Sequence, residues 1–283
     1  MGFALWRSGV IGPPLIADCP AVCHRVDRCA HLMRVDRSDR SVSSLHWWTG
    51  ALARAGQITM LYDQTHLEHV RPEWARRSHW HGAGRVERRL GGRGGSVLIR
   101  FGASPGLTHA VLRRYQRGGW VAHLSQDRYV YNGLERTRAL REFRLLDDLH
   151  QRGLAVPRPL LASVERFSVW GYRQALMTQW IDGAQTLAQR LAHAQDLDWP
   201  GLARTLAQLL DAGVYHPDLN AHNVLCDDTH RWWVIDFDRA RIGRQPRRGR
   251  AMITRLCGSL TKLGLSAPLS RRQLLTEVER HRK

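Results

Sequence analysis

The sequence predicts an α+β chain of two lobes, a small β-rich N-terminal lobe and a mainly helical C-terminal lobe, with a cleft between them. Three features lead to this prediction. Strand-like segments dominate up to about residue 180, one long amphipathic helix interrupts them, and helical segments with one short hairpin follow. A chain of 283 residues buries a substantial core, and its hydrophobic fraction of 43% is that of a globular protein.

The two lobes are predicted at residues 57–180 and 181–283, and the second ends in a basic tail. Residues 1–56 show no sustained period of 2 or 3.6, because Arg, Asp, Ser and Cys alternate there in short runs. We expect this segment to be disordered, or to be upstream sequence translated from a start codon placed too early. No function is therefore assigned to it.

The N-terminal lobe is predicted from short apolar runs bounded by turn residues. Residues 85–90 and 96–101 are strand-like on either side of a glycine cluster, and 109–115 is a third strand. Residues 134–152 form an amphipathic helix that ends before Gly153. Two further strands are expected at 160–165 and 172–180.

The C-terminal lobe is predicted to be helical over residues 185–194 and 199–212. A polar loop then leads into two short strands, 223–226 and 232–236. The tail from residue 251 is predicted as one or two helices.

The net charge of the chain indicates which classes of partner it can bind. Lys and Arg total 43 against 25 Asp and Glu, which gives a net charge of +18. Nearly all of the positive charge is Arg, since the first lysine is Lys262. Such a positive field favours nucleic acid, anionic lipid or phosphorylated substrates. No stretch approaches the roughly 18 apolar residues of a membrane-spanning helix, so a cytoplasmic protein is the default expectation.

The strongest chemical signal is a polar loop at 216–223 followed by an apolar strand that ends at Asp236. Phosphoryl transfer requires one carboxylate to accept the substrate proton, and a carboxamide with a second carboxylate to hold magnesium on the phosphates. Asp218 and Asn223 are five residues apart, so one loop can present both. We therefore predict Asp218 as the catalytic base, with Asn223 and Asp236 as the magnesium ligands.

These segments resemble the catalytic loop and the metal-binding Asp of protein-kinase-like enzymes, whose pattern is H-x-D-x-x-x-x-N followed by D-F-G. His216 occupies the first position, and we include it among the predicted catalytic residues. Asp238 stands where the pattern has its last glycine, which weakens any inference of an activation-loop switch. The alternative is that His216 and Asp218 only cap a turn, and that Asp236 is an ordinary carboxylate at the end of a strand.

The resemblance implies nucleotide-binding residues in the N-terminal lobe. Because no lysine precedes Lys262, an arginine must replace the usual phosphate-binding lysine; Arg113 is the first candidate and Arg114 the second. Glu142, in the middle of the predicted helix, is the expected partner of that cation and is counted with Arg113 among the catalytic residues. Each has an ordinary alternative, since charges on a helix or strand are often simply solvated.

Glycines and a hinge complete the predicted cofactor site, whose expected ligand is ATP with Mg²⁺. Gly92, Gly94 and Gly95 lie between two strands, where glycine lets backbone N–H groups approach a phosphate closely. Met177 and Gln179 end a strand before a helix, as does the hinge that binds adenine through its backbone. A loose hairpin and a plain strand-to-helix turn are the alternatives.

Longer segments resemble one particular group of kinases. These segments are 111–119, 136–146, 153–159 and 216–225, with lead-in matches at 62–63 and 72–74. Together they resemble the 3-deoxy-D-manno-octulosonic acid (Kdo) kinases of the lipopolysaccharide core kinase group, over residues 58–262. The resemblance implies transfer of the ATP γ-phosphate to a hydroxyl of Kdo on a lipid A precursor. It places the enzyme at the cytoplasmic face of the inner membrane of a Gram-negative bacterium.

The charge fits the implied acceptor. Residues 238–250 contain six Arg just after the predicted metal site, and a lipid A precursor carries phosphates and a sugar acid in an anionic leaflet. We expect a lipid-linked Kdo saccharide and an anionic membrane surface as partners, and no nucleic acid; the oligomeric state is not predicted. A solvated basic tail is the alternative for this run.

Three other functions compete with this prediction. The acceptor of the same kinase chemistry is alternatively another core sugar such as heptose, or a protein. A nucleic-acid-binding module would explain the net charge of +18, but it leaves the carboxylates of the loop without a role. A pseudokinase would explain Arg113 and Asp238, although the retained set of Asp218, Asn223 and Asp236 argues against it.

Overall fold

The computed structural model describes residues 50–55, 57–90, 95–104, 106–115, 129–131, 133–168, 171–193, 197–243, 246–265 and 270–282. Within these ranges the N-terminal part of the chain is built on one antiparallel sheet. Its strands are β1 (Gly50–Ala55), β2 (Ile58–Asp63), β3 (Val86–Arg89), β4 (Val97–Ser104), β5 (Leu107–Arg114), β6 (Tyr129–Val130), β7 (Pro159–Arg166) and β8 (Gly171–Gln179). The strand order is β1-β2-β7-β8-β5-β4-β3, and β6 pairs with β8.

Strand β7 shows why the sheet lies at the centre of this lobe. Six consecutive residues from Pro159 are buried, because both faces of the strand are covered. Ala162 and Val164 face a core that they share with the helix at Arg138–Gln151 and with the C-terminal lobe. Leu161 faces a second core. The sheet therefore lies between two apolar clusters, and burial of apolar side chains on both faces fixes its position.

The second core is closed by aromatic residues that precede β3. A 3₁₀ turn (Pro72–Ala75) and helix α1 (Arg77–Gly82) bring Trp74 and Trp80 against Phe101 of β4. The indole N–H of Trp80 donates to the carbonyl of Trp74 at 2.8 Å, so the buried ring keeps its hydrogen bond. Residues 72–82 therefore cover one end of the sheet.

Strand β1 corrects the predicted start of the folded chain. The boundary was expected at residue 57, but β1 covers Gly50–Ala55 and pairs with β2 in the register Gly50↔Asp63 to Ala55↔Ile58. The apolar alternation of β1 is weak because three of its six residues are alanine, which explains why the pattern gave no strand signal. The rest of the predicted N-terminal segment lies outside the described residues, and the two lobe boundaries remain predictions.

The C-terminal lobe is mainly helical, as predicted, and the predicted α+β class is confirmed. Its helices are α3 (Leu187–Ala192), α4 (Trp199–Asp211), α5 (Pro246–Lys262) and α6 (Arg271–Arg280), whereas α2 (Arg138–Gln151) packs on the sheet of the N-terminal lobe. Its short strands are β9 (Gln185–Thr186), β10 (Val214–Tyr215), β11 (Val224–Cys226), β12 (Trp232–Val234) and β13 (Arg241–Ile242). None of the helices within the described ranges is long and apolar enough to cross a membrane.

The β11–β12 hairpin is held firmly in the lobe. Arg190 of α3 is buried and donates to the carbonyls of Cys226 and Asp227, at 3.1 and 3.0 Å. The indole of Trp232 donates at 2.9 Å to the carbonyl of Asp198, the residue that caps α4. The hairpin is thereby tied to two helices, which gives the polar loop before it and the strand end after it a rigid base.

Candidate active site

The predicted catalytic loop winds around the backbone carbonyl of Asp218. That carbonyl accepts hydrogen bonds from the side-chain amides of Asn220 and Asn223, at 2.8 and 3.0 Å. The side chain of Asn220 in turn accepts from the backbone N–H of His222 at 2.9 Å. Because these contacts use the backbone of Asp218, its carboxylate stays accessible, and Arg239 approaches it at 3.5 Å.

His216 ties this loop to the strand that precedes Asp236. Its Nε2 lies 3.1 Å from the carbonyl of Ile235, and its ring packs edge-on against Phe237. Burial lowers the pKa of His216, so the ring is neutral and donates this hydrogen bond through Nε2. The side chain is 1% exposed. We therefore interpret His216 as a residue that positions the loop, although the sequence placed it among the catalytic residues.

The hairpin brings Asn223 and Asp236 to the same end. Asn223 directly precedes β11, Asp236 follows β12, and the N–H of Ile235 donates to the carbonyl of Asn223 at 3.0 Å. Asp236 has a φ of +65°, in the left-handed region that few residues other than glycine adopt. Such a conformation is retained where the surrounding structure requires it, and here it turns the chain sharply at a carboxylate.

The donor atoms at this end suit magnesium. The amide nitrogen of Asn223 is bound to the carbonyl of Asp218, which leaves its Oδ1 as the atom that can coordinate a cation. The side chain of Asp236 is 42% exposed and supplies carboxylate oxygens. Magnesium is usually held by one or two such oxygen ligands together with substrate phosphates. The described part of the chain contains no cluster of three or more His, Cys, Asp or Glu placed to hold a metal.

Arg113 links three elements of the site. From β5 it donates to Asp236 after β12 through Nη1, and through Nη2 to Glu142 of α2 and to the hydroxyl of Tyr115. The predicted proximity of Arg113 and Glu142 is thus present in the structure. The choice between Arg113 and its neighbour Arg114 follows from the strand, because successive side chains of a strand point to opposite faces.

The electrostatics of this network are set by burial and by the short contacts. Burial by itself lowers the pKa of Arg113. The neighbouring Glu142, Tyr115 and Asp236 outweigh this effect and raise the pKa well above its ordinary value, so the guanidinium stays protonated. Burial raises the pKa of Glu142, and the guanidinium of Arg113 opposes that rise. Burial also raises the pKa of Tyr115 well above its usual value, so the phenol remains a hydrogen-bond donor, to Glu142.

Tyr115 is a site residue that the sequence analysis missed. Its ring lies 4.7 Å from the guanidinium carbon of Arg113 and 5.3 Å from that of Arg138, distances typical of cation–π contacts. The available signal was its spacing: residues i and i+2 of a strand share a face, so the aromatic residue two positions after Arg113 had to lie beside it.

Asp238, which stands at the glycine position of the kinase pattern, forms an ion pair. Both of its carboxylate oxygens accept from Arg138 at the start of α2, one of them from Nε at 2.7 Å. This two-point ion pair joins the helix that carries Glu142 to the segment that carries Asp236. The departure from glycine therefore corresponds to a fixed link between α2 and the segment that carries Asp236.

We expect Asp238→Gly to lower kcat by roughly tenfold, because the loss of a charge-assisted contact of about 1.5–3 kcal/mol frees α2 from this segment. Steady-state kinetics would measure the effect. Asp148→Asn is the matched control, since it removes an exposed ion pair with Arg152 on the same helix. Equal activity of Asp238→Gly and the parent would show that the link does not position Glu142.

The nucleotide-binding predictions have mixed outcomes. Gly92 and Gly94 lie outside the described residues. Gly95 has a φ of +56°, in the left-handed region that favours glycine, at its place between β3 and β4. Its role at the phosphates remains a prediction.

The predicted adenine hinge lies at the end of β8. The side chain of Met177 is fully buried in the core of the sheet. The N–H of Gln179 donates to the carbonyl of Arg158 at 2.9 Å, so it is already used within the sheet. The N–H of Trp180 is directed at the carbonyl of His109 at 3.4 Å. The adenine-binding role of Met177 and Gln179 remains a prediction.

Comparison with known proteins agrees with this geometry. Residues 77–268 match the model of the lipopolysaccharide kinase (Kdo/WaaP) family. The chain belongs to this family. A member of the lipopolysaccharide kinase family is a phosphotransferase with a hydroxyl acceptor, so the kinase class predicted from the sequence is confirmed.

Several relatives within the family carry the name 3-deoxy-D-manno-octulosonic acid kinase. One from Xanthomonas campestris pv. campestris (strain 8004) is 42% identical over 180 residues, 61% of this chain and 68% of the relative. Another, from Stenotrophomonas maltophilia (strain R551-3), is 39% identical over 186 residues, 65% of this chain and 72% of the relative. A solved structure, WaaP in complex with acyl carrier protein, is 17% identical with a TM-score of 0.46, and the match covers 71% of this chain and 84% of that chain.

Proposed function

We propose that this family member transfers the γ-phosphate of ATP to a hydroxyl of Kdo on a lipid A precursor, with Mg²⁺ as the metal cofactor. The observation that carries the proposal is the convergence of one accessible carboxylate, Asp218, with two oxygen donors, Asn223 and Asp236, at one end of a rigid hairpin. The Kdo acceptor is supported by the names of relatives that are 37–42% identical to this chain.

The chemistry assigns one role to each group. Asn223 and Asp236 would hold Mg²⁺, which would neutralise part of the charge on the phosphates. Asp218 accepts the proton of the acceptor hydroxyl. At the same time, the oxygen of that hydroxyl forms a bond to the γ-phosphorus. The bond from that phosphorus to the bridging oxygen breaks at the same time, and ADP leaves. Arg113, held by Glu142 and Tyr115, presents its charge to the α- and β-phosphates.

The acceptor's environment is consistent with the charge of the C-terminal lobe. Exposed arginines on this lobe include Arg239, Arg241, Arg250 and Arg255. Each basic residue near an anionic leaflet contributes about 1 kcal/mol of membrane affinity. We therefore propose peripheral binding at the cytoplasmic face of the inner membrane of a Gram-negative bacterium, which brings the cleft to a lipid-linked acceptor.

Incubation of the full-length protein with ATP, Mg²⁺ and a Kdo-bearing lipid A precursor tests the proposal. Mass spectrometry is expected to find one added phosphate on the Kdo residue, and none on a precursor that lacks Kdo. Phosphate addition to a heptose-containing core alone would replace Kdo by heptose as the acceptor. Absence of ATP binding would contradict the nucleotide assignment itself.

A further inference from the structure

A cavity of about 310 Å³ lies between α2 and the segment that follows Asp236. Its apolar wall is formed by Leu145, Phe237 and Ala240. Its charged lining includes Arg141 and Arg144, which lie one turn apart on α2, and Arg241 of β13. Three arginines around an apolar surface are the elements of an anion-binding pocket.

The carboxylates of the cavity do not balance these arginines. Glu142 and Asp238 also line it, but the first is bound by Arg113 and the second by Arg138. Each of these acids is thus already paired with a cation outside the cavity lining. The arginines of the lining carry a net positive charge that no acid of the lining offsets.

Arg141 and Arg241 are the two available cations. Both side chains are exposed, and within the described ranges neither has a carboxylate within ion-pair distance. Arg144 binds Glu135 through its two terminal nitrogens, while its Nε is buried without a hydrogen-bond partner. A buried N–H without an acceptor is costly, and an anion in the cavity is one acceptor that would satisfy it.

The cavity is close to the reacting groups. Arg239 lies 3.5 Å from the carboxylate of Asp218, and Arg241 is only two residues further along the chain. Two residues span at most about 7 Å. Ile242, which also lines the cavity, is 45% exposed and extends the apolar surface towards solvent. The segment that lines the cavity is therefore the one that also contacts the predicted catalytic base.

We infer that this cavity binds a phosphate group of the glycolipid acceptor, with Arg141 and Arg241 as the residues that determine specificity for a phosphorylated saccharide. The inference rests on the proposed function for its acceptor. The apolar wall fits the carbon face of a sugar ring, and the arginines fit the phosphate through paired N–H donors. The expected nucleotide contacts, at Arg113, Asn223 and Asp236, involve other residues.

Kinetics with two acceptors test the inference. Arg141→Gln and Arg241→Gln are each expected to raise the acceptor KM by roughly tenfold, and the double variant by roughly 100-fold, with ATP KM and kcat unchanged. On an acceptor from which the lipid A phosphates have been removed, the parent and the double variant are expected to have equal KM. Arg136→Gln is the matched control, an exposed arginine beside α2 that does not line the cavity.

Binding provides a readout that does not require turnover. With the nucleotide site filled by ADP and Mg²⁺, calorimetry is expected to show binding of N-acetylglucosamine 1-phosphate to the parent and at least tenfold weaker binding to the double variant. N-acetylglucosamine without phosphate is expected not to bind. Failure of the proposed function alone would abolish turnover and leave this difference intact.

Three results would overturn the inference. The first is equal binding of the sugar phosphate by the parent and the double variant. The second is a KM defect of the same size on the dephosphorylated acceptor. The third is an increase in acceptor KM that is seen only when the acceptor is presented in vesicles that contain phosphatidylglycerol. That result would assign the cavity to a phospholipid headgroup.

Discussion

Replacing Asp218 by Asn is expected to lower kcat by about 10²–10⁴-fold while ATP affinity stays within about twofold of the parent value, since general-base catalysis contributes an effect of that size. The loop is held through the backbone carbonyl of Asp218, which the substitution keeps. The change therefore removes the proton acceptor without releasing Asn220 or Asn223.

The experiment measures single-turnover phosphoryl transfer and nucleotide binding separately. Asp228→Asn is the control, because this carboxylate lies on the β11–β12 turn, is 78% exposed and forms a long ion pair of 3.8 Å with Arg190. Full activity of Asp218→Asn would show that another group takes the proton. A parallel loss of ATP binding would instead indicate damage to the magnesium ligands.

Replacing Arg113 by Ala is expected to affect both stability and catalysis. Glu142 is 2% exposed and would lose its cation, and breaking a buried ion pair by removing one partner typically costs about 3–5 kcal/mol. Phosphoryl transfer is expected to fall by at least 100-fold, since the positive charge that we propose for the α- and β-phosphates is lost as well. Chemical denaturation and steady-state kinetics measure the two effects.

Two further variants separate these effects. The double variant Arg113→Leu/Glu142→Gln removes both charges, so it is expected to recover much of the stability and none of the activity. Arg113→Lys restores the charge but not the planar fork that reaches Glu142, Tyr115 and Asp236 together, so intermediate activity is expected. Wild-type activity of Arg113→Lys would contradict a requirement for arginine. Recovery of activity in the double variant would show that the pair is only structural.

The chemistry of the catalytic segment was predictable because it is local. Asp218 and Asn223 share one loop, and Asp236 follows the next strand, so their order and spacing alone indicated phosphoryl transfer. The replacement of lysine was equally predictable, since no lysine precedes Lys262. These inferences needed only residue types and sequence distances.

The contacts between distant segments were not predictable in the same way. Asp238 is 100 residues from Arg138, and nothing in either local pattern indicates that they meet. Strand β1 was missed because alanine gives little apolar alternation. The hydrogen bond from the Gln179 N–H to the carbonyl of Arg158 was not predictable either, because the sheet register is a property of several strands together.

By itself, therefore, the sequence determined the fold class, and it predicts the catalytic loop and an arginine in place of lysine, because each depends on residues close together in the chain. Only the tertiary structure decided that Arg113 also reaches Tyr115 and Asp236, that Arg138 holds Asp238, and that Arg141 and Arg241 border one cavity. The physical reason is that these charges are paired or left unpaired by the packing of α2 against β7 and β8 of the sheet. That packing is set by the two apolar cores rather than by the charged residues themselves.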